Sequence, residues 1–308
     1  MFDLIGDIHG HCTELAALLR GWGYREQAGA WRHPSRTAVF VGDFLDRGPE
    51  IREALRLVRS MIEGGSALAV MGNHELNALA FHHPDPDAPG EFLRRHSARN
   101  KQQHEATLAQ VPAAELTSHL EFFRALPISL ELGGFRVVHA CWDEVALAVV
   151  EDGLARHGGI DDGFLIEGHN PESLLFAALE ILLKGKEIDL PDGSTFLDKD
   201  GVERNAARVR WYASPLGQTV ATYALPAQRD LPRAPLPAKV LAEARPYAAS
   251  APPVYFGHYW LDDPSPAALA PNVFCIDYSV ARGGFLCGYR FEEPGRGTFA
   301  QIPARGTR

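Results

Sequence analysis

Cysteine is scarce. The four in 308 residues, Cys12, Cys141, Cys275 and Cys287, form no C-x-x-C pair, which excludes zinc-knuckle and thioredoxin-like chemistry. So few thiols in so long a chain read as reduced and mostly buried, as in a cytosolic protein. Long apolar runs are missing too: none approaches the ~18 residues of a membrane-spanning helix. The apolar start at Phe2 reaches a polar motif by Gly6, so no secretory leader is read there. Positive charge is in deficit. Thirty Lys and Arg stand against 39 Asp and Glu, a net charge of −9, which repels long nucleic acid and anionic membrane. There is no repeat and no low-complexity tract. These absences leave a cytoplasmic protein with neither membrane nor long nucleic acid as partner. What is present is ordinary for a globular chain: 46% apolar and 22% charged residues, with enough length for a substantial core.

The first third alternates strand and helix. Phe2–Ile5, Thr37–Val41 and Ala67–Met71 read as short buried strands. Cys12–Arg20 carries Leu15, Leu18 and Leu19 at helical spacing, Glu50–Ile62 carries Ile51, Leu55, Val58 and Ile62, and a third helix begins near Glu75. This alternation predicts a parallel sheet covered by helices, with polar loops at the carboxyl ends of strands, where sites form in such sheets. Further on, 90–110, 118–126 and 171–184 read as helices. Gly133-Gly134 between Ile128–Leu132 and Phe135–His139 signals a hairpin. The stretch 224–253 is rich in Pro and Ala and reads as a surface connection, and strands return at 254–257, 273–278 and 285–291. The expected organisation is one catalytic domain over 1–308 carrying an insertion at roughly 150–250.

Five short segments carry chemistry: Gly6-Asp7-Ile8-His9-Gly10, Gly42-Asp43-Phe44-Leu45-Asp46-Arg47-Gly48, Gly72-Asn73-His74-Glu75, Val138-His139-Ala140 and Gly257-His258. Asp-x-His sends two ligands the same way from one extended stretch, because side chains alternate. Glycine lets the backbone turn sharply and approach a ligand. Carboxylate and imidazole without thiolate suit manganese, iron or zinc. Any one segment alone reads as a turn or a helix cap. Five together, all at strand ends, read as a metal site.

This set resembles the signature of the calcineurin-like metallophosphoesterases, in the form used by their phosphoprotein phosphatase branch, where bacterial serine/threonine protein phosphatases and symmetrical diadenosine tetraphosphatases belong. The motifs cover residues 1–80 densely, then His139 and 254–291. The resemblance implies an α/β fold of four layers, a β-sandwich flanked by helices, with an inserted subdomain, so a purely parallel sheet would be the wrong picture. It implies two divalent metal ions, with manganese expected and iron or zinc as alternatives. Asp7 and His9 would hold the first, Asp43 would bridge both, and Asn73, His139 and His258 would complete the second. Many relatives end in Gly-His-x-His; here Trp260 takes the last place, a departure shared by the phosphoprotein phosphatase branch. Ala140-Cys141-Trp142 follows His139 where Gly-Gly is commoner, which alters the local loop.

The implied reaction is hydrolysis by a metal-activated hydroxide, with the ions about 3.5–4 Å apart. His74 would protonate the leaving oxygen, Asp46 would hold its imidazole, and Arg47 would grip phosphate through its planar fork, unless it is a structural partner of Asp46. Glu75 reads as a helix-start acid. Arg208 or Arg210 would be a second phosphate arginine, with an exposed strand charge as the plainer reading. Lys184 and Lys186 read as helix-end charges before cleft residues, and Tyr278 is divided between site and core. The substrate is expected to be a phosphomonoester of the phosphoserine or phosphothreonine kind, because Asp46 is usual in the protein phosphatases. A dinucleoside tetraphosphate is the alternative, with Trp142, Tyr259 or Trp260 to stack on a base. A phosphodiesterase or nuclease and a non-catalytic metal scaffold follow behind; the last conflicts with the presence of both His74 and Asp43.

Overall fold

The computed structural model describes residues 1–197, 201–228 and 230–305. The first-third alternation folds as the pattern predicts: Phe2–Ile5, Thr37–Phe40 and Ala67–Ala69 lie side by side in parallel. Helices Cys12–Gly21 and Ile51–Glu63 connect them, burying Leu15, Leu18 and Leu19 from one and Ile51, Leu55 and Val58 from the other. The long strand Phe285–Glu293 then runs antiparallel beside Phe2–Ile5, with Leu4 opposite Tyr289. Asp277–Tyr278 and Arg296–Pro303 also pair with it, completing a mixed six-stranded sheet.

The second sheet has four strands in the order Val273–Cys275, Val254–Phe256, Phe135–Val138, Ser129–Leu132. Its edge is the hairpin signalled by Gly133-Gly134, closed by a two-residue turn with φ of 49° and 91°. Such left-handed values cost glycine little. Aromatic rings fill the space between the sheets: Phe135 against Phe291 at 4.6 Å, Tyr255 against Tyr289 at 5.1 Å and Phe274 against Tyr289 at 5.2 Å. The chain is thus an α/β sandwich with helices outside, and one large core runs through it.

Three helices differ from their predicted starts by three residues or more. The helix expected over 90–110 begins only at Ala98 and ends at Gln110. The preceding residues turn back on the chain, Leu93 N–H donating to His83 O and Arg94 N–H to Ala80 O, and the Ser97 hydroxyl caps the helix by accepting from Asn100 N–H. The next helix starts earlier than read, at Ala113 behind Pro112, and Leu174–Lys184 starts later, capped by Ser173. Glu144–His157 packs on Leu174–Lys184 within the main core. Beyond them Ile188, Leu190, Ala207, Val209, Val220, Tyr223, Ala224, Leu231 and Leu236 form a separate small core. No helix of the described residues is long and apolar enough to cross a membrane.

Candidate active site

Each candidate ligand stands just past the end of a strand. Asp7 and His9 follow Phe2–Ile5, Asp43 follows Thr37–Phe40, His139 follows Phe135–Val138, His258 follows Val254–Phe256, and Asn73 opens the helix Asn73–His82 after Ala67–Ala69. The two sheets therefore meet at their carboxyl ends. The turns are tight enough to force left-handed backbone on residues other than glycine: φ is 43° at His9, 55° at Asp43 and 73° at His258. Such conformations cost on the order of 1–3 kcal/mol each and persist only where the surroundings hold them. Glycine is required beside them. A Cβ on Gly257 would lie 1.9 Å from Asp7 Oδ1, and one on Gly72 would lie 2.3 Å from Asp43 Oδ1.

Asp43 is the hub. Its Oδ2 lies 3.4 Å from His139 Nε2, 3.6 Å from His9 Nε2 and 3.9 Å from His74 Nε2. Two groups able to hold a metal ion share this carboxylate: His9, Asp43 and His74, and Asp43, His139 and His258, the ligand atoms of each lying within 4.8 Å of one another. Asn73 Oδ1 is 3.1 Å from His139 Nε2. Asp7 is outside both tight groups but joins the site: its Oδ2 accepts from His258 N–H at 2.9 Å, and its Oδ1 is buried without a hydrogen bond. The imidazoles are aimed from behind. His9 Nδ1 donates to Leu45 O at 3.0 Å and His139 Nδ1 to Val41 O at 2.7 Å, which turns each Nε2 inward.

The electrostatics are those of a site built for cations. Burial, then the Asp277 and Asp43 charges, raises the Asp7 carboxyl well above its ordinary range. Burial and Asp43 push Glu75 up to about 7, and burial pushes Asp277 to about 6. Asp43 goes the other way: burial opposes its charge, but His139, His74 and His9 hold it well below the usual range. Burial and His74 lower His9 to about 3, and burial and Arg208 lower His258, so both stay neutral, and their buried Nε2 atoms have no hydrogen-bond partner. Crowded carboxylates and imidazole lone pairs facing inward, without thiolate, fit divalent ions of intermediate hardness.

His74 Nδ1 donates to Asp46 Oδ2 at 2.6 Å. Arg47 lines the same cleft and lays its guanidinium over the Trp260 ring at 4.2 Å, with Arg282 over that ring at 4.6 Å. Arg208 also lines the cleft, while Arg210 is spent on backbone, its Nε donating to Ala224 O. Lys184 pairs with Glu180 and Lys186 with Asp143. Tyr278 stacks on Phe285 and Trp142 donates to Glu144, so neither lines the cleft; Tyr259 and Trp260 do. Glu75 is more than a helix-start acid: it accepts from the N–H groups of Gly72, Asp43 and Phe44, tying two motif loops together. Sequence reading missed Arg99 and Gln103 from helix Ala98–Gln110, and Arg204 and Gln228, all on the cleft wall. Arg99 and Gln103 are four apart, the one local signal that they share a face.

Two ligand clusters sharing one carboxylate, at the joined carboxyl ends of a mixed sandwich, define a candidate binuclear metal centre. The calcineurin-like phosphoesterase family model matches residues 1–194, and the chain belongs to that family. Arg208 and His258 lie beyond the matched stretch. An asymmetrical bis(5'-nucleosyl)-tetraphosphatase of Halalkalibacterium halodurans is 46% identical over 74 residues, 24% of this chain and 30% of the relative. A symmetrical one of Vibrio cholerae is 33% identical over 137 residues, 44% of this chain and 43% of the relative. The chain thus spans less than half the length of these curated relatives. Among solved structures, a serine/threonine protein phosphatase of Saccharomyces cerevisiae superposes with a TM-score of 0.52 at 14% identity, covering 100% of this chain and 80% of that one. A cold-active protein-tyrosine phosphatase of a Shewanella species gives 0.51 at 17% identity, covering 99% and 80%. These two likenesses concern the fold.

Proposed function

We propose that the chain is a metal-dependent phosphoesterase that hydrolyses phosphomonoesters in the manner of a serine/threonine protein phosphatase, as one cytoplasmic catalytic domain whose insertion, at roughly 150–250, walls the cleft. The observation that carries this reading is the convergence of three imidazole Nε2 atoms within 3.9 Å of one Asp43 oxygen, in a cleft that also presents Arg47 and Arg208. Asp7, His9 and Asp43 would hold one divalent ion and Asp43, Asn73, His139 and His258 the other, manganese being the expected metal. Such a pair supplies an acidified water and charge neutralisation for phosphate. Arg47 binds phosphate oxygens with its fork, and Arg208 lines the same cleft. His74 would give a proton from Nε2 to the leaving oxygen, with Asp46 holding its ring through Nδ1.

A monoester dianion carries one more charge than a diester, so two cations and two arginines favour it. The competing reading is cleavage of a dinucleoside tetraphosphate, supported by the names of the curated relatives; the Trp260 ring that would stack on a base is overlaid by Arg47 and Arg282. The test is kcat/KM with Mn2+ across p-nitrophenyl phosphate, its bis ester, phosphoserine and phosphothreonine peptides, and diadenosine tetraphosphate. Diadenosine tetraphosphate ahead of every phosphopeptide by more than ~100-fold, a gap of about 2.7 kcal/mol in transition-state binding, would replace the phosphatase reading with the tetraphosphatase one. A bis ester ahead of the monoester would remove both.

A further inference from the structure

Asp46 is gripped on the side away from His74. Its Oδ2 accepts from His74 Nδ1 at 2.6 Å, while its Oδ1 accepts from His104 Nδ1 at 2.7 Å and from the Thr107 hydroxyl at 2.6 Å. The same hydroxyl accepts from the Asp46 backbone N–H at 3.0 Å. All four residues are buried. His104 and Thr107 come from one helix, Ala98–Gln110, and their spacing of three residues puts them on one face. His104 Nε2 in turn lies 3.2 Å from His82 Nε2, which sets that ring from behind. The loop they hold is strained, with left-handed φ of 65° at Asp46 and 68° at Arg47.

A carboxylate bonded only to His74 would be free to turn about its Cβ–Cγ bond. Two donors on the other oxygen remove that freedom. Burial works against the charge on Asp46, yet the hydrogen bonds from His104 and His74 keep its pKa below the ordinary carboxylate range. An ionised and immobile Asp46 fixes both the plane of the His74 ring and the nitrogen that carries its inner proton.

We infer that His104, assisted by Thr107, is a positioning residue for proton transfer: it locks Asp46 so that His74 keeps its Nε2–H on the leaving oxygen. This rests on the reading of His74 as the proton donor. In that step a water-derived hydroxide oxygen bonds to phosphorus as the bond from phosphorus to the leaving oxygen breaks; the leaving oxygen keeps that electron pair and takes the proton from His74 Nε2, and the His74 ring becomes neutral with Nδ1–H still on Asp46. His104 and Thr107 act through Asp46 and touch no reacting atom.

The experiment uses the full chain loaded with Mn2+, after metal content and Tm have been measured for each variant. H104A, H104N, T107V, H74N and the double variant H74N/H104A are compared on p-nitrophenyl phosphate and on phenyl phosphate, whose leaving group needs the proton more. H104A is expected to lower kcat on phenyl phosphate by about 10- to 100-fold, the range for groups that orient a working side chain, and on p-nitrophenyl phosphate by less than ~3-fold, with KM nearly unchanged on both. H104N, whose amide N–H can replace Nδ1–H, recovers most of the loss. T107V shows the same pattern more weakly, and H104A adds nothing once His74 is Asn. Equal losses on the two substrates with metal retained, or a further loss from H104A in the H74N background, overturn the inference. If H104A does not fold, H104N and T107V carry the same comparison, and equal losses on both substrates from T107V overturn it. H74N is the control for the parent reading. An equal loss on both substrates from H74N removes the proton donor itself, whereas an unequal loss from H74N with equal losses from H104A removes only the role of His104.

Discussion

At the scale of single residues, the site is limited by how closely backbone and ligand approach. Gly257 has no room for a methyl group, because its Cβ would sit 1.9 Å from Asp7 Oδ1, and the next residue is His258. Gly257→Ala therefore displaces ligands on both sides of the centre. It should lower Mn2+ affinity by at least ~10-fold, the low end for displaced metal-site geometry, and titration calorimetry showing unchanged affinity would refute this. Arg47→Ala should lower kcat/KM on monoesters by about 10²–10³-fold, as for loss of one preorganised charge donor, with metal content intact. The residues that gather round Asp43 were legible in the sequence because each candidate ligand stands in a short motif directly after an apolar run. The choice between Arg208 and Arg210 was not. Strand alternation puts both on one face, but the strand Ala206–Arg208 ends between them, and Arg210 N–H turns to Tyr223 O. His104 and Thr107 were equally hidden, since nothing local tells that their helix lies against Asp46.

At the scale of elements, Glu75 is the tie between the second and third motif loops. One oxygen accepts from Phe44 N–H at 2.7 Å, and the other from Asp43 N–H at 2.9 Å and Gly72 N–H at 2.8 Å. Glu75→Gln keeps the shape but turns one acceptor into a donor facing N–H groups. A buried, unsatisfied polar contact costs about 1–3 kcal/mol, so urea unfolding should show a loss of that size; a loss below ~0.5 kcal/mol, typical of surface changes, would mean the loops hold without it. Helix existence was readable from apolar spacing in Ile51–Glu63 but not in Glu144–His157 or Asp162–Gly168, for which the sequence reading gives no helix. Helix starts were not readable, because they depend on contacts outside the helix, as where Leu93 and Arg94 turn back to residues 83 and 80.

At the scale of the whole molecule, two features set the behaviour of the chain. The first is the cluster of buried carboxylates. Asp7 is raised, Asp277 lies at about 6 and Glu75 at about 7, so in the metal-free fold these groups hold protons that a cation must displace. A raised carboxyl contributes its stability below its unfolded pKa and loses it as pH climbs through the folded value, here between roughly 4 and 7. Mn2+ affinity should therefore increase from pH 5.5 to 7.5, as should the gain in Tm on adding Mn2+, and it should go on rising above that window because Asp43, against burial, pushes the His139 imidazole up to about 10; an affinity flat from pH 5.5 to 7.5 would count against the carboxylates. His9 and His258, already neutral, do not add to this slope. The second feature is the separate core of the insertion. Leu231→Ala should cost about 2 kcal/mol, the low end for a buried leucine, and speed hydrogen exchange within 188–236 while leaving Mn2+ affinity unchanged. The strand order of the sandwich left no trace in local pattern, because pairs such as Leu4 with Tyr289 join distant parts of the chain. That pairing, and the bond from His258 N–H to Asp7, bear on how the protein is made. A ribosome adding about 5–20 residues per second exposes Asp7, His9 and Asp43 for tens of seconds before His258 and the partner strand of Phe2–Ile5 emerge. A nascent chain thus carries five of the six candidate ligands before His258 exists, and the set is held in place only once the strand around Tyr289 has been added.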